Sequence, residues 1–123
     1  MQAETVHPAE TSEFPTDELC RILELWNREE DDAVSVARAR VEPGVKTRPH
    51  SVENTVERYL VFSGSALVHV EGLDPTRAKR GDFFLIPEGA VQWVENDGPE
   101  DFVFYAICTP RFRQEAYRDR SPE

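Results

Sequence analysis

Histidine, lysine and cysteine are scarce in this chain, and each scarcity excludes something. Three histidines, His7, His50 and His69, leave little material for an imidazole-rich metal cage. Lysine occurs only at Lys46 and Lys79, and all basic residues together number 14 against 24 acids, a formal charge of -10. A field of that sign repels phosphate backbones and anionic lipid surfaces, so neither nucleic acid nor membrane is an expected partner. The two cysteines, Cys20 and Cys108, lie far apart and form no CxxC, which excludes a disulfide scaffold and predicts reduced thiols in the core. No apolar run approaches the ~18 residues of a membrane span. Residues 1–17 lack both a basic start and an apolar stretch, so no signal peptide is expected and the cytoplasm is the expected compartment.

What is present is β-sequence. With 123 residues the chain has room for one domain whose core needs no covalent staples. Residues 1–15 offer little to bury and are expected to form a flexible arm, ahead of a single domain over residues 16–113 and a charged tail over residues 114–123. Leu19, Ile22, Leu23 and Trp26 recur at helical spacing behind Thr16, so residues 16–26 read as a helix or a strand. Residues 33–41, with Arg38 and Arg40 on one parity, predict a half-exposed strand. Tyr59-Leu60-Val61-Phe62 is apolar on both faces, which predicts cover on both sides, and Ser63-Gly64 predicts a hairpin into residues 65–70. In that run Ala66, Val68 and Val70 share a face and His69 has the opposite parity. Residues 72–80 read as a turn region, and residues 102–108 as a strand crossing the middle of a barrel. Phe112 and Tyr117 are candidates to pin the tail to the body.

The stretch over residues 44–96 is the most specific. It carries Gly44, His50, Val52, Glu57 and Gly64, then Gly81, Pro87, Gly89, Gln92 and Asn96. This resembles the two sequence motifs of the cupin superfamily: a glycine, a His-x-His pair, a glutamate and a glycine, then glycine, proline, glycine, histidine and asparagine. Glu57-Arg58-Tyr59 and Ile107-Cys108-Thr109-Pro110-Arg111-Phe112 further resemble a branch of small single-domain cupins labelled mannose-6-phosphate-isomerase-like. The resemblance implies an all-β double-stranded β-helix, or jelly-roll barrel, and favours the strand over the helix for residues 20–26. It also implies a divalent-ion site, but two of its ligand positions are changed. Val52 stands for the second histidine and Gln92 for the third.

Two arrangements therefore stay open at His50, Glu57 and Gln92. They bind one divalent ion as a reduced ligand set, or they form a polar cluster in the cup with the imidazole held by Glu57. In the second case His50 and Glu57 remain candidate acid–base residues. Tyr59 shares parity with Glu57 and either projects into the cup as a third catalytic candidate or fills the core. Arg48 and Gln92 are candidate ligand-binding residues, Arg48 as a clamp for a carboxylate or phosphate at the mouth, with a solvated loop arginine as the alternative. Arg111 divides between a clamp and a surface ion pair. Trp93 is expected to point outward at a subunit interface, and Asn96 to hold a turn. The expected function is binding of a small polar or sugar-like molecule in the cup, as an isomerase, dioxygenase or lyase, or as a non-catalytic or sensory module with a metal-free site. A homodimer is the expected assembly.

Overall fold

The computed structural model describes residues 1–122, so the final residue of the expected tail, Glu123, lies outside the described residues. The described residues contain eleven strands: β1 (Phe14–Pro15), β2 (Arg21–Trp26), β3 (Ser35–Val41), β4 (His50–Val52), β5 (Val56–Ser63), β6 (Ser65–Val70), β7 (Thr76–Lys79), β8 (Phe83–Ile86), β9 (Gln92–Glu95), β10 (Phe102–Thr109) and β11 (Tyr117–Asp119). They form a six-stranded sheet in the order β1-β2-β3-β10-β5-β8 and a five-stranded sheet in the order β11-β4-β9-β6-β7, with antiparallel pairing between neighbours. Two facing sheets with strand order so unlike sequence order are a jelly roll.

Alternation of side chains turns one parity of each strand inward. Val41, Tyr59, Val61, Phe102 and Phe104 come from the first sheet and Ala66, Val68, Val70 and Val94 from the second; all are buried in one core. β10 crosses the middle of its sheet, paired with β3 on one side and β5 on the other. β2 takes up residues 21–26, so the helical spacing there is incidental. Ile22, Glu24 and Trp26 face the cup, while Leu23 is buried on the opposite parity.

Several local readings change. Gly64 does not close a hairpin, because β5 and β6 belong to different sheets. It hands the chain across at φ 82°, where a Cβ would collide with the Asp101 carbonyl, so glycine is required. The turn region contains a strand: Thr76–Lys79 pairs with β6. Residues 10–13 lie against the outer face of the six-stranded sheet through Glu13, which meets Arg21, Arg38 and Arg40, and β1 extends that sheet's edge by pairing with β2. Part of the charged tail is β11, paired with β4. The outer parity of β5 is uncovered within the chain: Leu60 and Phe62 are exposed beside Phe83 and Leu85 of β8.

Asn96 holds its turn with every side-chain polar atom. Its Nδ2 donates to the carbonyls of Val41 and Glu100, and its Oδ1 accepts from the Gly98 N–H. His69 faces away from the core and stacks on half-buried Trp93 at 4.4 Å between centroids.

Candidate functional site

One end of the barrel opens into a cavity of about 450 Å³ between the two sheets. His50 and Val52 of β4, Glu57 of β5 and Cys108 of β10 line its floor, and Trp26, Phe112 and Tyr117 stand among its walls. The strands bring these residues together in register: His50 pairs with Gln92 of β9, Val52 with Tyr117 of β11, and Glu57 with Cys108 of β10. His50 and Glu57 therefore reach the cup as the sequence pattern implies, while Gln92 sits beside them with no solvent exposure.

The carboxylate that holds His50 is Glu18 rather than Glu57. His50 Nδ1 lies 3.0 Å from Glu18 Oε2 and 3.3 Å from the Arg48 carbonyl. Both neighbours are acceptors, so Nδ1 carries the proton and Nε2 is the nitrogen left for the cup. Glu18 is aimed by a tight connection between β1 and β2. The Thr16 hydroxyl and N–H both donate to the Cys20 carbonyl, Leu19 adopts φ 77°, and the Glu18 carbonyl accepts the Arg48 N–H. A non-glycine residue in the left-handed region is a cost met only where surrounding bonds enforce it. The thiol of Cys20 donates to the second oxygen of Glu18 at 3.3 Å. No spacing in the sequence marks Glu18, because its partner lies 32 positions away beyond β2 and β3; Tyr117, which stacks on His50 at 5.1 Å, is equally unmarked.

Electrostatics divide the polar groups. Burial pushes the His50 pKa down, but the bond and charge of Glu18, with help from Glu57, outweigh it and leave the imidazole above its usual value. Burial raises Glu18, yet the His50 bond and charge bring it below the usual carboxylate range. Burial dominates at Glu57 and raises its pKa, only partly opposed by the charge on His50 and by Gln92. Glu57 Oε1 and Gln92 Nε2 are both buried without an aligned hydrogen-bond partner. Buried polar atoms in that state are uncommon and point to a ligand or water that completes them.

Three sequence candidates fall elsewhere. Tyr59 does not line the cup; it is a core residue, tilted against Phe104, and its hydroxyl donates to Gln92 Oε1. Arg48 does not guard the mouth, because its guanidinium is bound to Asp119 and Ser121 of the tail. Arg111 pairs with Asp32 and Asn27 on the surface.

The same geometry tests the divalent ion. His50 Nε2 and Glu57 are the available donors, Val52 supplies none, and the Gln92 oxygen already accepts from Tyr59. Among the described residues no group of three or more His, Cys, Asp and Glu side chains is placed to hold a metal. The expected set of His50, Glu57 and Gln92 does not make a cage, since one imidazole and one carboxylate leave most of a coordination sphere unfilled.

A cupin domain model matches residues 37–108, more than half of the chain. The chain belongs to the cupin family. Solved structures agree on the fold. A Klebsiella pneumoniae protein with a double-stranded β-helix domain superposes with TM-score 0.77 at 19% identity, over 98% of this cupin and 100% of that chain. A predicted oxalate decarboxylase from Thermotoga maritima gives 0.77 at 23% identity, over 87% and 99%. Streptomyces PAC13, solved with uridine, gives 0.78 at 14% identity, over 96% and 91%. Among curated sequences, the endoribonuclease YbeY of Myxococcus xanthus (strain DK1622) is 30% identical over 92 residues. That match takes in 75% of the cupin chain but spans only 31% of the relative's length.

Proposed function

We propose that this cupin binds a small polar molecule in its cup and acts on it by acid–base chemistry, with His50 and Glu57 as the working groups and no metal cage. The observation that carries the reading is the Glu18–His50 pair at the edge of a cavity whose floor also holds Glu57. A carboxylate on Nδ1 fixes the tautomer and favours the imidazolium, so Nε2 is suited to accept a proton from a bound ligand. A carboxyl whose pKa is raised by burial is suited to return one. Glu18 is then a positioning residue. Bond-making or bond-breaking next to a hydroxyl or carbonyl, as in an isomerase or lyase, fits two such groups better than a dioxygenase does.

The replacement of two ligand positions by Val52 and Gln92 favours a second reading, recognition without turnover. A screen of polar metabolites by thermal shift, with product analysis of each hit, separates the two. Binding with turnover that falls at least ~100-fold in His50→Gln, with affinity retained, supports acid–base catalysis. Binding without product in the wild type supports the second reading, and failure of every compound to bind rejects both.

Assembly as a homodimer is part of the same proposal, supported by the exposed strip Leu60, Phe62, Phe83 and Leu85 on a sheet edge that carries no charge in β8. A monomeric mass by light scattering rejects it.

A further inference from the structure

The cup is unusual in the sign of its lining. Asp17, Glu18, Glu24 and Glu57 line it, His50 is the one basic side chain there, and no arginine or lysine is among the lining residues described. Several guanidiniums near that lining in sequence are engaged elsewhere: Arg58 donates to the Thr109 hydroxyl, Arg48 pairs with Asp119, Arg111 and Arg113 pair with Asp32, and Arg28 pairs with Glu4 while lying over the Trp26 ring at 4.1 Å. His50 matches Glu18, whereas Asp17, Glu24 and Glu57 have no ion-pair partner among the described residues. Acids on a surface alone specify nothing. Here the deepest of them, Glu57, is nine-tenths buried and keeps Oε1 without a hydrogen bond at the cavity floor. Around these acids stand Phe14, Trp26, Phe112 and Tyr117. Aromatic faces attract cations through their quadrupoles and bind planar or apolar bodies through area.

We infer that the ligand of this cup is a small organic cation, an ammonium group carried on a planar or apolar body, and that anionic ligands are rejected. The inference rests on the small-molecule reading above and narrows it. A carboxylate or phosphate brought to the floor would meet Glu57 and Glu18 with no guanidinium to receive it, and like charges in a poorly solvated cavity repel strongly. An ammonium at the floor would pair with the Glu57 carboxyl and favour its ionised form, and would meet ring faces at the walls. Neutral sugars would fill the polar end but leave the aromatic walls and the net negative charge unused.

The test uses three compounds of one shape and three charges: tyramine, its neutral alcohol 2-(4-hydroxyphenyl)ethanol, and 4-hydroxyphenylacetate, titrated calorimetrically into the full chain, with glucose alongside. Tyramine is expected to bind at least ~10-fold tighter than the alcohol, and the acid to give no detectable heat. Glu57→Gln should erase most of the preference for the amine. Glu24→Gln, at an exposed position where folding is not at risk, should weaken tyramine about 3-fold and leave the alcohol unchanged. Equal binding of amine and alcohol, or tighter binding of the acid, overturns the inference. Binding of glucose without any of the three overturns it too, while sparing the small-molecule reading; silence from all four counts against both.

Discussion

Glu13 and Glu57 are two glutamates shielded from water on opposite faces of one six-stranded sheet, and burial leaves them in opposite states. On the outer face Glu13 accepts from Arg21 at 2.9 Å, from Arg38 at 3.0 Å and from Arg40, and these bonds pull its carboxyl down to about 2 despite desolvation. On the inner face Glu57 has Tyr59, Gln92, Cys108 and an imidazole around it but no guanidinium, and desolvation carries its pKa up. The lesson concerns allocation. Three arginines are committed to a carboxylate that only holds residues 10–15 to the sheet, and none is committed to the one in the cup. A fully matched acid is structural, whereas an unmatched buried acid retains the capacity to interact with something that arrives.

That contrast can be broken at either glutamate. Glu13→Gln leaves Arg21 without a carboxylate, while Arg38 keeps Glu10 and Arg40 keeps Asp101, and should cost about 1 kcal/mol in urea unfolding, less than a fully buried pair because the arginines are partly exposed. Acid should reproduce the effect. A carboxyl depressed in the fold contributes stability above its unfolded value of 4.5, lost as pH falls towards about 2, so wild-type stability should drop across that window more steeply than that of Glu13→Gln. Glu57 has the reverse sign. Its raised pKa means that the folded state holds the proton longer, so its contribution is lost as pH rises above 4.5 through the folded value. Glu57→Gln should therefore raise the urea midpoint at pH 7 and leave it unchanged at pH 4; a lower midpoint at pH 7 would equate the two glutamates and end the contrast. His50 adds to the same slope, since its raised pKa gives stability present below 6.5 and lost at higher pH. The smallest effect is at the rim. Arg48→Ala should leave the urea midpoint almost unchanged, as loss of an exposed ion pair does, and leave affinity for any cup ligand intact.

Much of the barrel is legible in the sequence alone. Period-two alternation gave the inward parity of residues 65–70, and the glycine, proline and asparagine signals placed most turns, because each depends on neighbours close in sequence. The misread turn at Gly64 shows the limit: a positive φ is written locally, but which sheet the next strand joins depends on Asp101, 37 positions further on. The site was half legible for the same reason. His50 and Glu57 carry a motif spacing, and their strands bring them together. Glu18 reaches His50 from a connection whose shape depends on Thr16, Cys20 and a backbone bond to Arg48, and Tyr117 arrives on a strand hidden in a charged tail. Arg48 and Tyr59 were plausible by parity and position, but nearby acceptors claimed both.

The pairing of β11 with β4 has a bearing on the order in which the molecule matures. The ring that stacks on His50 belongs to Tyr117, 67 positions further on, and Asp119 lies opposite His50 in the ladder. Contacts of such long sequence separation form late, after the loops between them have closed. The valine and phenylalanine interior can thus assemble while the cup still lacks a wall, and competence to hold a ligand waits for the Tyr117 ring to reach His50.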